Sequence, residues 1–217
     1  MLVNYYDLGQ LTLQRVKTLN ERKGYKQRLV IHGCCAPCSC YPLEALEPYF
    51  DITILYTNSN IYPQKEYEIR LNELIHYVER FNLEHQSNVK IEIPTYDNAS
   101  YTIKIKNRAN DKECGPTCHL CYELRLRDAF EYAREHGFEY AGTVMTISRQ
   151  KNSTVLNEIG LKLEKEYPSV QFIVADFKKK GGQIRRDELS KDMYRQQYCG
   201  CVFSYQEYLE RVKQKEE

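Results

Sequence analysis

Short apolar runs alternate with segments of helical period along almost the whole of this 217-residue chain, and that alternation restricts the fold more than any single motif does. Arg28 to His32 (RLVIH), Ile52 to Thr57, Val89 to Ile93, Tyr140 to Thr146 and Gln171 to Ala175 each have the length and the β-branched or aromatic content of a strand. The segments between them read as helices. Leu8, Leu11, Val16 and Leu19 recur at helical spacing over residues 8–20, with Gly24 as a stop. Pro37 suits a first helical turn, which puts Cys38 in that turn of a helix running toward Glu47. Tyr67, Leu71, Leu74, Ile75, Val78 and Phe81 keep a helical period over residues 63–81. Further helices are expected from Cys118 to Glu135, stopped by Gly137, from Asn152 or Ser153 to Glu166, and near Asp187 to Tyr194. Strands separated by such helices pair in parallel through right-handed crossovers. The expected fold is therefore α/β, a three-layer sandwich with a mainly parallel sheet of about five strands.

The length fits one α/β domain over residues 1–217, with no internal repeat or low-complexity tract. Residues 96–116 lack a period and are basic, so they read as a long functional loop or small insertion within that domain. The formal net charge is only +1, but Lys104, Lys106, Arg108 and Lys112 crowd this stretch, and Lys178, Lys179, Lys180, Arg185 and Arg186 crowd another. Such runs are either solvated loops or a rim facing phosphate. No apolar run reaches the ~18 residues of a membrane span. The opening MLVNYYDLGQLTLQ has neither the basic nor the apolar region of a secretory signal, so a cytoplasmic, reducing setting without membrane contact is expected.

In that setting the cysteines become informative. Of nine, seven fall into three groups: Cys34, Cys35 and Cys38; Cys118 and Cys121; Cys199 and Cys201. Cys-x-x-Cys pairs in a reducing compartment bind metal or do redox work more often than they form structural bridges. Cys40 and Cys114 stand apart and read as packing residues. Soft thiolates select zinc, copper(I) or iron-sulfur clusters. A structural zinc site needs four ligands, and seven grouped thiols with an adjacent pair exceed that need. Four can hold a [4Fe-4S] cluster. Cys199, Cys201 and one thiol of the first group then remain, either to bind a second metal or, for Cys199 and Cys201, to cycle between dithiol and disulfide. Cys118 and Cys121, at a helix start, point to one face where unpaired N–H groups stabilise thiolates. The first group follows the first strand, at the sheet edge where open α/β folds bind ligands.

The strings HGCCAPCS (32–39), NSNIYPQKEYEIR (58–70), CHLCYELRL (118–126), DFKKKGG (176–182) and YRQQYCGCVFS (194–204), in this order, resemble the cobalamin-independent epoxyqueuosine reductases, the QueH family. The resemblance runs from Leu29 to Ser204. It implies a nucleotide-hydrolase-like fold related to the PP-loop class. It also implies an iron-sulfur oxidoreductase that converts epoxyqueuosine to queuosine at the tRNA wobble position, the final step of queuosine biosynthesis. Carried over by position, Cys34, Cys35, Cys118 and Cys121 match the [4Fe-4S] cysteines. Cys199 and Cys201 match a redox-active pair or the ligands of an additional iron, which Cys38 would join. Asn58, Asn60, Tyr67, Arg70 and Arg125 match motif positions and act either on substrate or in packing. Gly33 stands where a valine is usual and Ser59 where a proline is common; neither change removes a ligand.

Deoxygenating an epoxide to an alkene takes two electrons and two protons and releases water. The expected partners are thus the tRNA and a low-potential electron donor. Candidate proton donors are His32, His119 and nearby tyrosines, although a lone His at a strand end or helix start is commonly structural. Two other readings compete. An ATP-dependent tRNA sulfur transferase of related fold would carry an SGGxDS phosphate loop where this chain has GCCAPCS. A zinc-stabilised RNA-binding module would hold zinc and no sulfide.

Overall fold

The computed structural model describes residues 3–216, with side chains through residue 215. Strands β1 (Gln27–His32), β2 (Phe50–Leu55), β3 (Lys90–Glu92), β4 (Tyr140–Thr143) and β5 (Gln171–Phe172) form one sheet in the order β3-β2-β1-β4-β5. Every pairing is parallel. The helices are α1 (Tyr5–Lys23), α2 (Ala36–Leu46), α3 (Gln64–His85), α4 (Asn98–Lys104), α5 (Pro116–His136), α6 (Ser153–Glu166), α7 (Gly182–Leu189) and α8 (Val202–Glu216).

Alternation along β1 builds the two outer layers. Leu29 and Ile31 join a core with Leu13 and Val16 of α1, Leu43 of α2 and Leu74 of α3. Val30, between them, faces Leu126 and Phe130 of α5 and Leu156 of α6 on the other side. The result is the three-layer α/β sandwich that the alternating pattern predicts. Side-chain caps fix the helix starts: Asn4 accepts from the N–H groups of Tyr6 and Asp7, and Asn152 from those of Thr154 and Val155.

The largest differences from the sequence reading lie in four places. β4 stops at Thr143, because that hydroxyl accepts from Met145 N–H and starts a 3-10 turn over Val144–Ile147. β5 is correspondingly short. The stretch 96–116 is not structureless: Asp97 caps α4, and a 3-10 turn follows at Lys106–Ala109. The helix expected near Asp187 to Tyr194 lies earlier, as α7, and ends where Ser190 N–H and Oγ both bond to the carbonyl of Arg186. α8 has no counterpart among the expected elements. It docks through Phe203, which packs against Tyr101, Ile105 and Cys201, and through an Arg108–Glu207 ion pair. No helix among the described residues is long and apolar enough to cross a membrane.

The strand order reverses direction at β1. The crevice beyond the carboxyl ends of β1 and β4 is thus the switch point of the sheet, where ligands of open α/β folds bind.

Candidate metal centre

His32 ends β1 and Thr143 ends β4, and the two side chains meet at the floor of this crevice, with His32 Nδ1 3.1 Å from Thr143 Oγ1. Asn58 Nδ2 donates to the Gly33 carbonyl, which leaves Asn58 Oδ1 facing His32 Nε2 at 3.3 Å. That arrangement suits a neutral imidazole with its proton on Nε2. Burial, reinforced by the Arg125 charge, lowers the His32 pKa to about 3. His32 is therefore a structural floor, and Asn58 is engaged in holding it.

Directly above, Cys35 is the extended N-cap residue of α2 and Cys38 lies in its first turn. The sulfurs of Cys34, Cys35 and Cys38 all lie within 4.8 Å of one another and are buried. Cys34 and Cys35 sulfurs are 3.9 Å apart. Hydrogen bonds from Cys35 and Cys38 hold the Cys34 thiol well below the usual range, with further help from the Lys151 charge. The same bond to Cys34, together with burial, pushes Cys35 up to about 12. Three buried sulfurs able to lose protons to a metal thus share this pocket. Gln196 Nε2 donates to the Cys35 sulfur at 3.7 Å.

Cys118 sits in the first turn of α5, where burial raises its pKa to about 11. It lines a cavity of about 160 Å³ together with Cys199, Cys114, Tyr122, Lys151 and Tyr198. Cys121 accepts from the Tyr101 hydroxyl at 3.3 Å. Cys201 is buried against Tyr101 and Ile105, and that burial raises its pKa. Gly200, between Cys199 and Cys201, has φ of 138°, and an added Cβ would lie 3.2 Å from Arg70 Nη1 and from Ile61 Cγ1. Only glycine suits this turn.

Two cations connect the three cysteine groups. Burial opposes the charge of Arg125, yet its pKa is raised by Cys121, Tyr101, Cys199 and Cys34, one sulfur from each group. Arg125 Nε donates to the Cys121 carbonyl at 3.2 Å, while its buried Nη2 has no protein partner. Lys151 behaves likewise: burial opposes its charge, and Cys199 and Cys34 raise its pKa. Positive groups compensated by sulfur fit an anionic thiolate–metal centre and would be poorly matched to neutral thiols. Sequence reasoning does not single out Lys151; its signal is a position directly ahead of the Asn152 cap, beyond β4.

The other motif residues are placed as follows. Arg70 donates to Glu66, to the Cys199 carbonyl and to the Tyr198 carbonyl. Tyr67 packs between Tyr56 and Tyr96, Asn60 is buried, and His119 sits partly buried at the start of α5. Of the basic runs, Arg108, Arg185 and Arg186 are paired with Glu207, Glu44 and Asp187, and Lys178 ties down the carbonyls of Ser148 and Lys151. Lys104, Lys106, Lys112, Lys179 and Lys180 remain exposed.

A parallel α/β sandwich whose switch point gathers buried thiols and sulfur-facing cations is a protein able to bind metal through thiolates. The chain belongs to the epoxyqueuosine reductase QueH family, whose model matches residues 29–207. It is 42% identical over 189 residues to the epoxyqueuosine reductase QueH of Staphylococcus aureus, covering 85% of this chain and 78% of that one. Identity to the protein of that name from Acinetobacter baylyi is 36%, over 82% of this chain and 80% of the other. The Thermotoga maritima protein of that name is 32% identical, with 84% and 93% covered. The relatives thus carry the name of an oxidoreductase.

Proposed function

We propose that this protein is an iron-sulfur reductase that converts epoxyqueuosine in tRNA to queuosine. The observation that carries the reading is the buried cluster of Cys34, Cys35 and Cys38, together with a cavity lined by Cys118, Cys199 and Lys151, in a family of epoxyqueuosine reductases. Cys34, Cys35, Cys118 and Cys121 would hold a [4Fe-4S] cluster, which when bound supplies electrons one at a time. Cys199 and Cys201 serve either as a dithiol that stores two electrons or, with Cys38, as ligands of an additional iron. The closeness of Cys34, Cys35 and Cys38, whose sulfurs all lie within 4.8 Å of one another, supports a second division, in which Cys38 shares a centre with its two neighbours.

The chain's own groups then have definite tasks. The reaction adds two electrons and two protons to the epoxide, breaks both C–O bonds, forms the alkene and releases water. Lys151, in the wall of the cavity with Cys199, presents an ammonium to the oxygen as negative charge builds on it. Arg125 keeps the thiolates charged, and Arg70 holds the backbone of Tyr198 and Cys199 in place. An external low-potential donor completes the cycle.

The test uses anaerobically purified protein, a low-potential chemical reductant and tRNA bearing epoxyqueuosine, with nucleoside mass spectrometry. Queuosine and tightly bound iron with acid-labile sulfide are expected. Zinc without sulfide, or no product, overturns the reading. Cys121→Ser is expected to lose most cluster absorbance. Cys199→Ser is expected to keep it and lose turnover; loss of iron in Cys38→Ser would favour the second division.

A further inference from the structure

An aromatic ladder starts at Tyr198 in the wall of the cavity and takes no part in the chemistry described above. The ring of Tyr198 stacks on Tyr208 with centroids 5.6 Å apart and planes at 25°. Tyr205 packs beside both, 5.2 Å from Tyr198 and 6.4 Å from Tyr208. Tyr62 closes the end at 5.7 Å from Tyr205, with 38% of its surface exposed. The other three rings are partly buried, in contrast to core aromatics such as Tyr56 and Phe130, which are fully buried.

The ladder joins α8 to Tyr62 and Tyr198, but the docking of α8 does not rest on it alone. The helix is anchored by a different face, through Phe203 on the Tyr101–Ile105–Cys201 cluster and through Glu207 on Arg108. Tyr205, Tyr208 and Arg211 follow one another at three-residue spacing and so lie along one side of the helix. Arg211 and Tyr198 both contribute to the wall of the cavity that holds Cys118, Cys199 and Lys151. The ladder therefore begins at the cavity, where Arg211 also stands, and leads outward to Tyr62.

Flat rings that remain partly open, next to a cation, are the chemistry that recognises unpaired nucleobases and their phosphates. A base that enters a recessed cavity must leave its stack, and its neighbours lose a stacking face in doing so. We propose that Tyr198, Tyr205 and Tyr208 form a stacking platform for the unpaired anticodon-loop bases beside the modified nucleotide, with Arg211 placed for the adjoining phosphate. This inference rests on the tRNA substrate of the proposed function and adds the surface by which that RNA is held.

The experiment measures binding, by fluorescence anisotropy, of the anaerobically prepared holoprotein to a labelled tRNA anticodon stem-loop. The same loop with abasic residues flanking the wobble position is the comparison. Wild type should bind the intact loop about 10-fold more tightly than the abasic one, as expected for loss of base–aromatic stacking. Tyr208→Leu should bind both loops at the weaker level while keeping wild-type iron content and melting temperature, and Tyr208→Phe should bind as wild type. Equal affinity of wild type for the two loops overturns the platform without need of any variant. Retention of full preference by Tyr208→Leu overturns it as well. If wild type turns over epoxyqueuosine-tRNA yet shows either result, only the platform falls; if it neither binds nor modifies the tRNA, the functional reading falls with it.

Discussion

Arg70 gives the sharpest test of how the cysteine-bearing turn is held. Its side chain is almost wholly buried on α3, with Nε 2.7 Å from Glu66 Oε1 one helical turn back. The two terminal nitrogens donate to the carbonyls of Cys199 and Tyr198 at 3.0 and 3.1 Å. Arg70→Met keeps much of the apolar stem and removes all three bonds. Breaking a buried ion pair from one side costs about 3–5 kcal/mol, chiefly because the remaining charge is left uncompensated. Two features move the value to the low end. Tyr194 still donates to Glu66 Oε2 at 2.8 Å, and the partly exposed Tyr198 and Cys199 can recruit water to their carbonyls. A loss of about 3–4 kcal/mol follows, a large share of the roughly 5–15 kcal/mol that stabilises a domain.

Urea unfolding of the reduced, metal-free protein measures this loss. With an m-value of about 2 kcal/mol/M, the midpoint should fall by about 1.5–2 M. Glu66→Gln in the Arg70→Met background removes the stranded charge and keeps an acceptor for Tyr194, so it should restore about 1–2 kcal/mol. In the loaded enzyme, release of the 198–199 backbone should lower kcat by about 10²-fold, the scale expected for a misplaced reacting group. A loss below 1 kcal/mol, or a double variant no more stable than the single, would refute the view that Arg70 is a buried charge anchor; both limits lie outside the range just derived. Wild-type turnover in Arg70→Met would show that Cys199 needs no such anchor.

Two further outcomes are expected. His32 is held neutral with a pKa near 3, so the unfolded chain binds the extra proton first as pH falls below about 6.5. Its contribution is full above about pH 6.5 and is lost as pH falls from there toward the folded value, so the wild-type protein should lose about 1.4 kcal/mol between pH 7.5 and 5.5 from this residue. Denaturant titrations should show that component missing in His32→Gln, and equal pH slopes would exclude a neutral buried imidazole. At Gly33, an added Cβ would lie 2.6 Å from Ile54 Cγ2, so a valine there should cost about 1–3 kcal/mol. Thermal denaturation should show Gly33→Val recovering most of that loss when combined with Ile54→Ala, and no recovery would mean that the backbone rather than Ile54 sets the limit.

Much of this architecture was legible because local chemistry and global packing agree. The strand β1 alternates Leu29, Val30 and Ile31 between the two cores, and the caps Asn152, Gly24 and Gly137 stand where the helices begin or end. Elements that depend on remote partners were not legible. β4 is cut short by a Thr143 hydroxyl used as a cap, and α8 is fixed by the stretch 96–116, whose Arg108 reaches Glu207 across 99 residues. The site divides in the same way. The cysteine groups announce themselves by spacing, since seven of the nine cysteines fall into three short stretches. Lys151, Gln196 and Arg70 acquire meaning only when the sheet brings residues 34, 70, 151 and 199 to one crevice. Arg70 shows why motif membership alone misleads. A cation in a family string invites assignment to a phosphate, but every nitrogen of its head group is already spent on Glu66 or on backbone carbonyls. Charge available to the RNA must come instead from groups that reach the cavity from its rim, and Arg211, beside the tyrosines of α8, is placed to supply it.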